Sequence, residues 1–143
     1  KKLGVGIIGC GNISTAYLQL ASMFKGYDIV AVADISMDNA RAQAAKFDVR
    51  ADTVDDLLVA HDVDLIINLT IPVAHVDVSR AILQAGKHVY SEKPFVLSLD
   101  EAQELGNIAK ANNLRIGSAP DTFMGGSHQM ARNLIDASRC WCW

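Results

Sequence analysis

Short apolar runs of strand length alternate with helix-period segments from one end of the chain to the other, and this alternation restricts the possible folds more than any other property of the sequence. Leu3 to Ile8, Ile29 to Ala33 and Asp64 to Leu69 are near-continuous apolar runs, with His88 to Ser91 and Arg115 to Ser118 as shorter ones. Strands apolar at consecutive positions belong to a sheet covered on both faces. Between them, Ile13, Tyr17, Leu20 and Phe24 recur at i, i+4, i+7 and i+11, which places them on one face of a helix. Ala40, Ala44 and Phe47 repeat the pattern after the second run, and Val78, Ala81, Ile82 and Ala85 do so before the stop signal Gly86. Ser98-Leu99-Asp100-Glu101 has the spacing of a capping box, and Leu105, Ile108 and Ala109 supply the buried stripe of the helix it opens. Strand and helix in alternation predict an α/β domain with a mostly parallel, doubly wound sheet and helices on both faces.

Length and charge narrow the function. At 143 residues the chain suits one ordinary domain. Thirteen Lys and Arg stand against sixteen Asp and Glu, and no basic run supplies the footprint of a phosphate-backbone binder, so nucleic acid is excluded as a partner. No apolar segment approaches the roughly 18 to 20 residues that span a bilayer, so no membrane partner is expected. Cys10, Cys140 and Cys142 are an odd and lopsided set, unlike a disulfide framework, which points to a reducing cytoplasm. None of His61, His75, His88 or His128 has finger-like spacing to the Cys140/Cys142 pair, so no metal is expected.

Gly9-Cys10-Gly11-Asn12-Ile13-Ser14 reads as G-x-G-x-x-S between a strand and an amphipathic helix. The first glycine permits a tight turn and the second lets a pyrophosphate approach the backbone. A small third residue lets helix and strand pack closely. A helix beginning near Asn12 then aims its N–H groups and positive dipole end at the phosphates. Asp34 ends the second strand, about 20 residues after the motif, where a carboxylate accepts hydrogen bonds from an adenosine ribose diol. The same carboxylate would repel a 2′-phosphate, so NAD is expected in preference to NADP, with Arg41 on the following helix. The fold is thereby specified as Rossmann-type. The competing explanation is a plain glycine turn with Asp34 capping the next helix.

Two further strand ends carry chemistry. Pro72, in Thr70-Ile71-Pro72-Val73-Ala74-His75, can start a helix whose first turn holds His75, a residue lining the crevice where a nicotinamide ring would sit. Glu92-Lys93-Pro94 follows the strand His88 to Ser91. Pro94 holds Lys93 extended and makes a cis peptide available, directing the lysine to the crevice. There Lys93 can hydrogen-bond a ribose or substrate hydroxyl and assist loss of a proton, with Glu92 holding it.

In this order and spacing, the glycine turn, Asp34, Thr70-Ile71-Pro72 with His75, and Glu92-Lys93-Pro94 resemble the Gfo/Idh/MocA oxidoreductases, NAD(P)-dependent enzymes acting mostly on sugars, inositols and related polyols. The resemblance covers about residues 3 to 137, including Ala119-Pro120-Asp121-Thr122-Phe123, which looks like the lead into a substrate domain. It implies that Gly9, Gly11, Asn12 and Ile13 line the pyrophosphate, Asp34 the adenosine ribose, and Thr70, Pro72 and His75 the nicotinamide side. Glu92 and Lys93 match the E-K-P signature, with Lys93 touching nicotinamide ribose and substrate as the catalytic candidate. Family members continue into an open-faced α/β domain that supplies a substrate-binding Asp and His.

The expected organisation is therefore an NAD-binding domain at 1–120, a linker and helix at 121–137 and an atypical tail at 138–143, the chain reading as truncated. The function expected is a dehydrogenase represented by its cofactor-binding half. A free-standing NAD-binding or interaction module and an inactive truncated product are the alternatives. Met130, Ala131, Leu134, Ile135 and Ala137 form an apolar helix face that no later strand covers, which predicts a homo-oligomer.

Overall fold

The computed structural model describes residues 2–120 and 125–137. Strands β1 (Leu3–Ile8), β2 (Tyr27–Ala33), β3 (Arg50–Asp52), β4 (Leu65–Asn68), β5 (His88–Ser91) and β6 (Ile116–Ser118) form one sheet of order β3-β2-β1-β4-β5-β6. Every adjacent pair is parallel. The strand order reverses between β1 and β4, which is where a doubly wound sheet opens its ligand crevice.

Helices α1 (Asn12–Ala21) and α2 (Met37–Phe47) cover one face, and α3 (Val54–Val59), α4 (His75–Gln84) and α5 (Leu99–Ala111) the other. Strand residues alternate accordingly. Ile8, Ala31, Ile66 and Val89 pack with Leu57, Ile82, Leu83 and Leu105, whereas Val5, Ile7, Val32 and Ile67 pack with Leu18, Ala40 and Ala44. The capping box opens α5 as expected: Ser98 Oγ accepts the Glu101 N–H, and Glu101 Oε2 accepts the Ser98 N–H. Gly86, at φ +77°, closes the α4 end in the left-handed region where glycine is favoured. Among the described residues no helix is long and apolar enough to cross a membrane.

The structure adds to the sequence expectation at three places. Arg50–Asp52 and Val54–Val59 are a short edge strand and a short helix that apolar periodicity did not reveal. Arg50 is held there by bonds to both Asp52 and Asp62, so charge rather than an apolar pattern marks this edge. Secondly, the residues of α1 that are buried are Ser14 and Leu18, while Ile13, Leu20 and the post-helical Phe24 are 46%, 52% and 56% exposed. The predicted apolar stripe is real but lies beside an open groove. That cavity of about 460 Å³ is lined by Val5, Tyr17, Leu20, Tyr27, Ile67 and Tyr90 among others, because α1 and α2 leave the β4 and β5 side of their sheet face uncovered. Thirdly, α6 (Gly126–Asp136) exists with the expected face, and all its residues are exposed as that face predicts, Met130, Leu134 and Ile135 included. Asp121, Thr122 and Phe123, and the tail with Cys140, Trp141, Cys142 and Trp143, lie outside the described residues.

Candidate functional site

The two motif glycines are required for different reasons. Gly9 has φ +105°, and a Cβ there would stand 2.6 Å from the carbonyl carbon and oxygen of Leu69. Only glycine lets the end of β1 pass that close to the end of β4. Gly11 sits in extended geometry, φ −74° and ψ −169°, which any residue adopts, and a Cβ on it would meet no protein atom within 4 Å. Protein packing therefore does not demand Gly11, and the space beside its backbone is open. Ser14 fills the third motif position as anticipated: it is fully buried and its hydroxyl donates to the Gly11 carbonyl at 2.6 Å.

Helix α1 is also electrostatically bare. It has no side-chain N-cap and no acidic residue in its first turn, a trait it shares with α6, whereas α2, α3, α4 and α5 each carry Asp or Glu there. A helix start left without a compensating negative group is suited to an external anion. The open cradle at Gly11 and this uncompensated dipole, at the switch point of the sheet, fit the pyrophosphate of a dinucleotide.

Asp34 stands beside the turn. Its Oδ2 accepts the Cys10 N–H at 2.7 Å and its Oδ1 the Ser36 N–H at 2.8 Å, so the carboxylate is oriented by two backbone donors and each oxygen retains acceptor capacity. The Cys10 thiol is pushed up to about 11, by burial first and by the Asp34 charge second. It remains protonated at neutral pH and serves as a packing group. Arg41 lies on the exposed surface of α2, 3.7 Å from Asp38.

Asn68 organises the end of β4. This fully buried amide donates to the His75 carbonyl and the Ser79 hydroxyl, both at 3.0 Å, and accepts the Thr70 hydroxyl at 2.6 Å and the Thr70 N–H at 3.2 Å. Pro72 starts a 3₁₀ turn, Pro72–Ala74, that runs into α4 at His75, as its sequence position suggests. The His75 ring is only 1% exposed. Its nitrogens lie 2.7 Å from the Pro94 carbonyl and 2.9 Å from the Thr70 carbonyl, so the ring braces two crevice loops against each other. Each of these contacts is a hydrogen bond where that ring nitrogen carries a proton. The structure thus buries His75 between the turn that follows β4 and the one that follows β5.

At the end of β5 the Glu92 N–H donates to the Asn68 carbonyl, joining this turn to the one above β4. Glu92 Oε2 accepts the Lys93 backbone N–H at 2.9 Å, and Glu92 Oε1 accepts the Tyr17 hydroxyl at 2.8 Å. The Lys93–Pro94 peptide is cis. Burial, and then the neighbouring carboxylate, push the Tyr17 phenol far above its ordinary range, so it stays a donor. Tyr17 entered the sequence reading only as a member of an apolar stripe, and Asn68 not at all as a functional residue. The available signal for Asn68 was an amide ending an otherwise apolar strand. Among the described residues no group of three or more His, Cys, Asp or Glu side chains is arranged for a metal ion.

A glycine turn open to a ligand, a bare helix start and an acidic strand end around the switch point define a dinucleotide-binding domain. The chain belongs to the Gfo/Idh/MocA oxidoreductase family with the NAD-binding Rossmann fold, whose family model matches residues 3–119. It is 33% identical over 118 residues to the inositol 2-dehydrogenase of Salmonella typhimurium strain LT2, a match covering 80% of this chain and 35% of that protein. The chain thus spans about a third of the length of the curated relatives it matches. Its fold is that of GenD2 from gentamicin A biosynthesis, solved with NAD, at TM-score 0.87 and 23% identity over 94% of this chain and 39% of that one. It is also that of KijD10, a 3-ketoreductase from Actinomadura kijaniata solved with NADP, at TM-score 0.89 and 24% identity over 96% and 43%.

Proposed function

We propose that this chain is the cofactor-binding part of an NAD-dependent dehydrogenase that moves a hydride between nicotinamide and the secondary-alcohol carbon of a sugar, inositol or similar polyol. The observation that carries the reading is the pairing of the open backbone at Gly11 with the bare start of α1. Gly9, Gly11, Asn12 and Ile13 surround the pyrophosphate, and Asp34 takes the adenosine ribose diol. Ile35, fully exposed directly after Asp34, offers an apolar surface to the adenine. Thr70 and Pro72 form the nicotinamide side, held in place by His75 and Asn68.

The cofactor supplies the hydride acceptor at its nicotinamide ring. Lys93 binds the ribose and the substrate hydroxyl and helps the hydroxyl proton leave, while Glu92 fixes the lysine's backbone. The inositol 2-dehydrogenase relatives support the polyol class. Calorimetric titration of the chain with NADH is expected to show saturable binding at one site per chain. Absence of heat and of any rise in melting temperature at millimolar NADH would sink the reading.

The odd and lopsided cysteine set, Cys10, Cys140 and Cys142, supports a reducing, cytoplasmic setting. Self-association is the second part of the proposal. One chain presents both an exposed apolar helix face, Met130, Leu134 and Ile135, and an apolar groove between α1 and β5, so a second copy's α6 is the occupant we assign to that groove. Light scattering at tens of micromolar is expected to give a dimer or larger assembly, which Leu134→Glu disperses. A monomer at that concentration would refute it.

A further inference from the structure

Resting on the NAD-binding reading above, we infer that Tyr17 is a positioning residue that locks the Glu92-Lys93 turn to the phosphate-binding helix, so that its hydroxyl governs the nicotinamide half of the site and leaves the adenosine half alone. Tyr17 sits in the second turn of α1, the helix whose start faces the open cradle at Gly11. Its partner Glu92 is 75 positions away in sequence, just past β5. In the sheet β1 and β5 are separated by β4, so the 2.8 Å bond from the Tyr17 hydroxyl to Glu92 Oε1 crosses the switch point at which the strand order reverses.

The bond acts on the lysine through a short chain of contacts. Glu92 Oε1 is held by Tyr17, which leaves Oε2 aimed at the Lys93 N–H at 2.9 Å. With the phenol gone, the carboxylate is free to rotate about its terminal torsion, a broad and roughly two-fold one, and the turn loses its tie to α1. A hydrogen bond to a charged acceptor is among the stronger side-chain contacts, and here it is made between two elements with no sequence proximity to hold them otherwise. The adenosine side depends on different contacts. Asp34 is oriented by the Cys10 and Ser36 N–H groups, and Tyr17 donates to neither of its oxygens.

Two ligands separate the halves of the site: NADH reaches the β5 turn, whereas ADP ends at its phosphates. Tyr17→Phe removes the hydroxyl and keeps the ring that lines the apolar groove. Calorimetric titration is expected to show NADH binding weakened about tenfold and ADP binding unchanged, the fold-change of one lost hydrogen bond to a charged group. If Tyr17 works through Glu92, the double variant with Glu92→Gln binds NADH no worse than Glu92→Gln alone, because effects transmitted through one contact are not additive. Equal weakening of NADH and ADP, additive losses in the double variant, or unchanged NADH binding would each overturn the inference while leaving the NAD reading standing. A wild-type chain that fails to bind NADH would overturn the reading and the inference with it.

Discussion

Gly9→Ala will destabilise the domain by about 3 kcal/mol or more, while Gly11→Ala, two positions on, will leave stability within about 1 kcal/mol of wild type. At Gly9 two penalties combine. A side chain at φ +105° is strained whatever the surrounding space, and the added Cβ would lie 2.6 Å from the Leu69 carbonyl group. That neighbour is backbone, pinned by the Leu69 N–H bond to the Ile8 carbonyl at 2.8 Å, so relief requires β1 and β4 to separate at the centre of the sheet. At Gly11 the geometry already suits alanine and the space is open, so the loss of unfolded-state freedom roughly offsets alanine's poorer N-cap preference.

Ligand binding should respond in the opposite sense. The new methyl at Gly11 occupies the cradle and holds a pyrophosphate off the backbone, so NADH affinity falls by about tenfold or more in a protein that melts normally. Thermal melts of both variants with and without NADH distinguish the cases. A Gly9→Ala protein melting within about 2 °C of wild type would contradict the close-approach argument. A Gly11→Ala protein with wild-type NADH affinity would remove the observation on which the proposed function rests.

The second large effect is cofactor discrimination: NADH should bind at least about tenfold more tightly than NADPH. Asp34 is fixed beside the glycine turn by two backbone N–H groups, so it cannot swing aside to admit a 2′-phosphate without giving up the bonds at 2.7 and 2.8 Å. Arg41 is the nearest sequence candidate for attracting such a phosphate, and it lies 3.7 Å from Asp38 on the exposed side of α2. The comparison is cleaner with two cofactors on one protein than with an Asp34 variant, since replacing Asp34 would also strand the Cys10 and Ser36 donors. Because the repulsion is electrostatic and partly solvated, the ratio should narrow as salt is raised. Tighter binding of NADPH at low salt would refute the role given to Asp34.

Much of this molecule was legible from residue order. Near-continuous apolar runs specify strands buried on both faces, and β1 and β5 have the bounds that those runs mark. The glycine turn, Asp34 and Glu92-Lys93-Pro94 are local signals, each tied to a strand end, and the parallel sheet brings all those ends to one edge. The pieces that escaped have physical causes in common. β3 is a three-residue edge strand stabilised by Arg50 and its carboxylates, and an edge needs no apolar period. The α1 stripe is legible as an apolar face, but apolarity reports only a preference for leaving water, while the structure decides whether anything covers it.

By itself, then, the sequence determined the kind of fold, the alternation of its longer strands and helices and the chemistry offered at their ends, because backbone propensity, apolar period and turn residues act over short stretches of chain. Only the tertiary structure decided which of those groups meet. It separated a glycine demanded by packing from one that packing leaves open, set the His75 ring between two loop carbonyls, and joined Tyr17 to Glu92 across β4. Such contacts depend on how a twisted sheet brings distant strand ends together, and no local pattern in the chain records that distance.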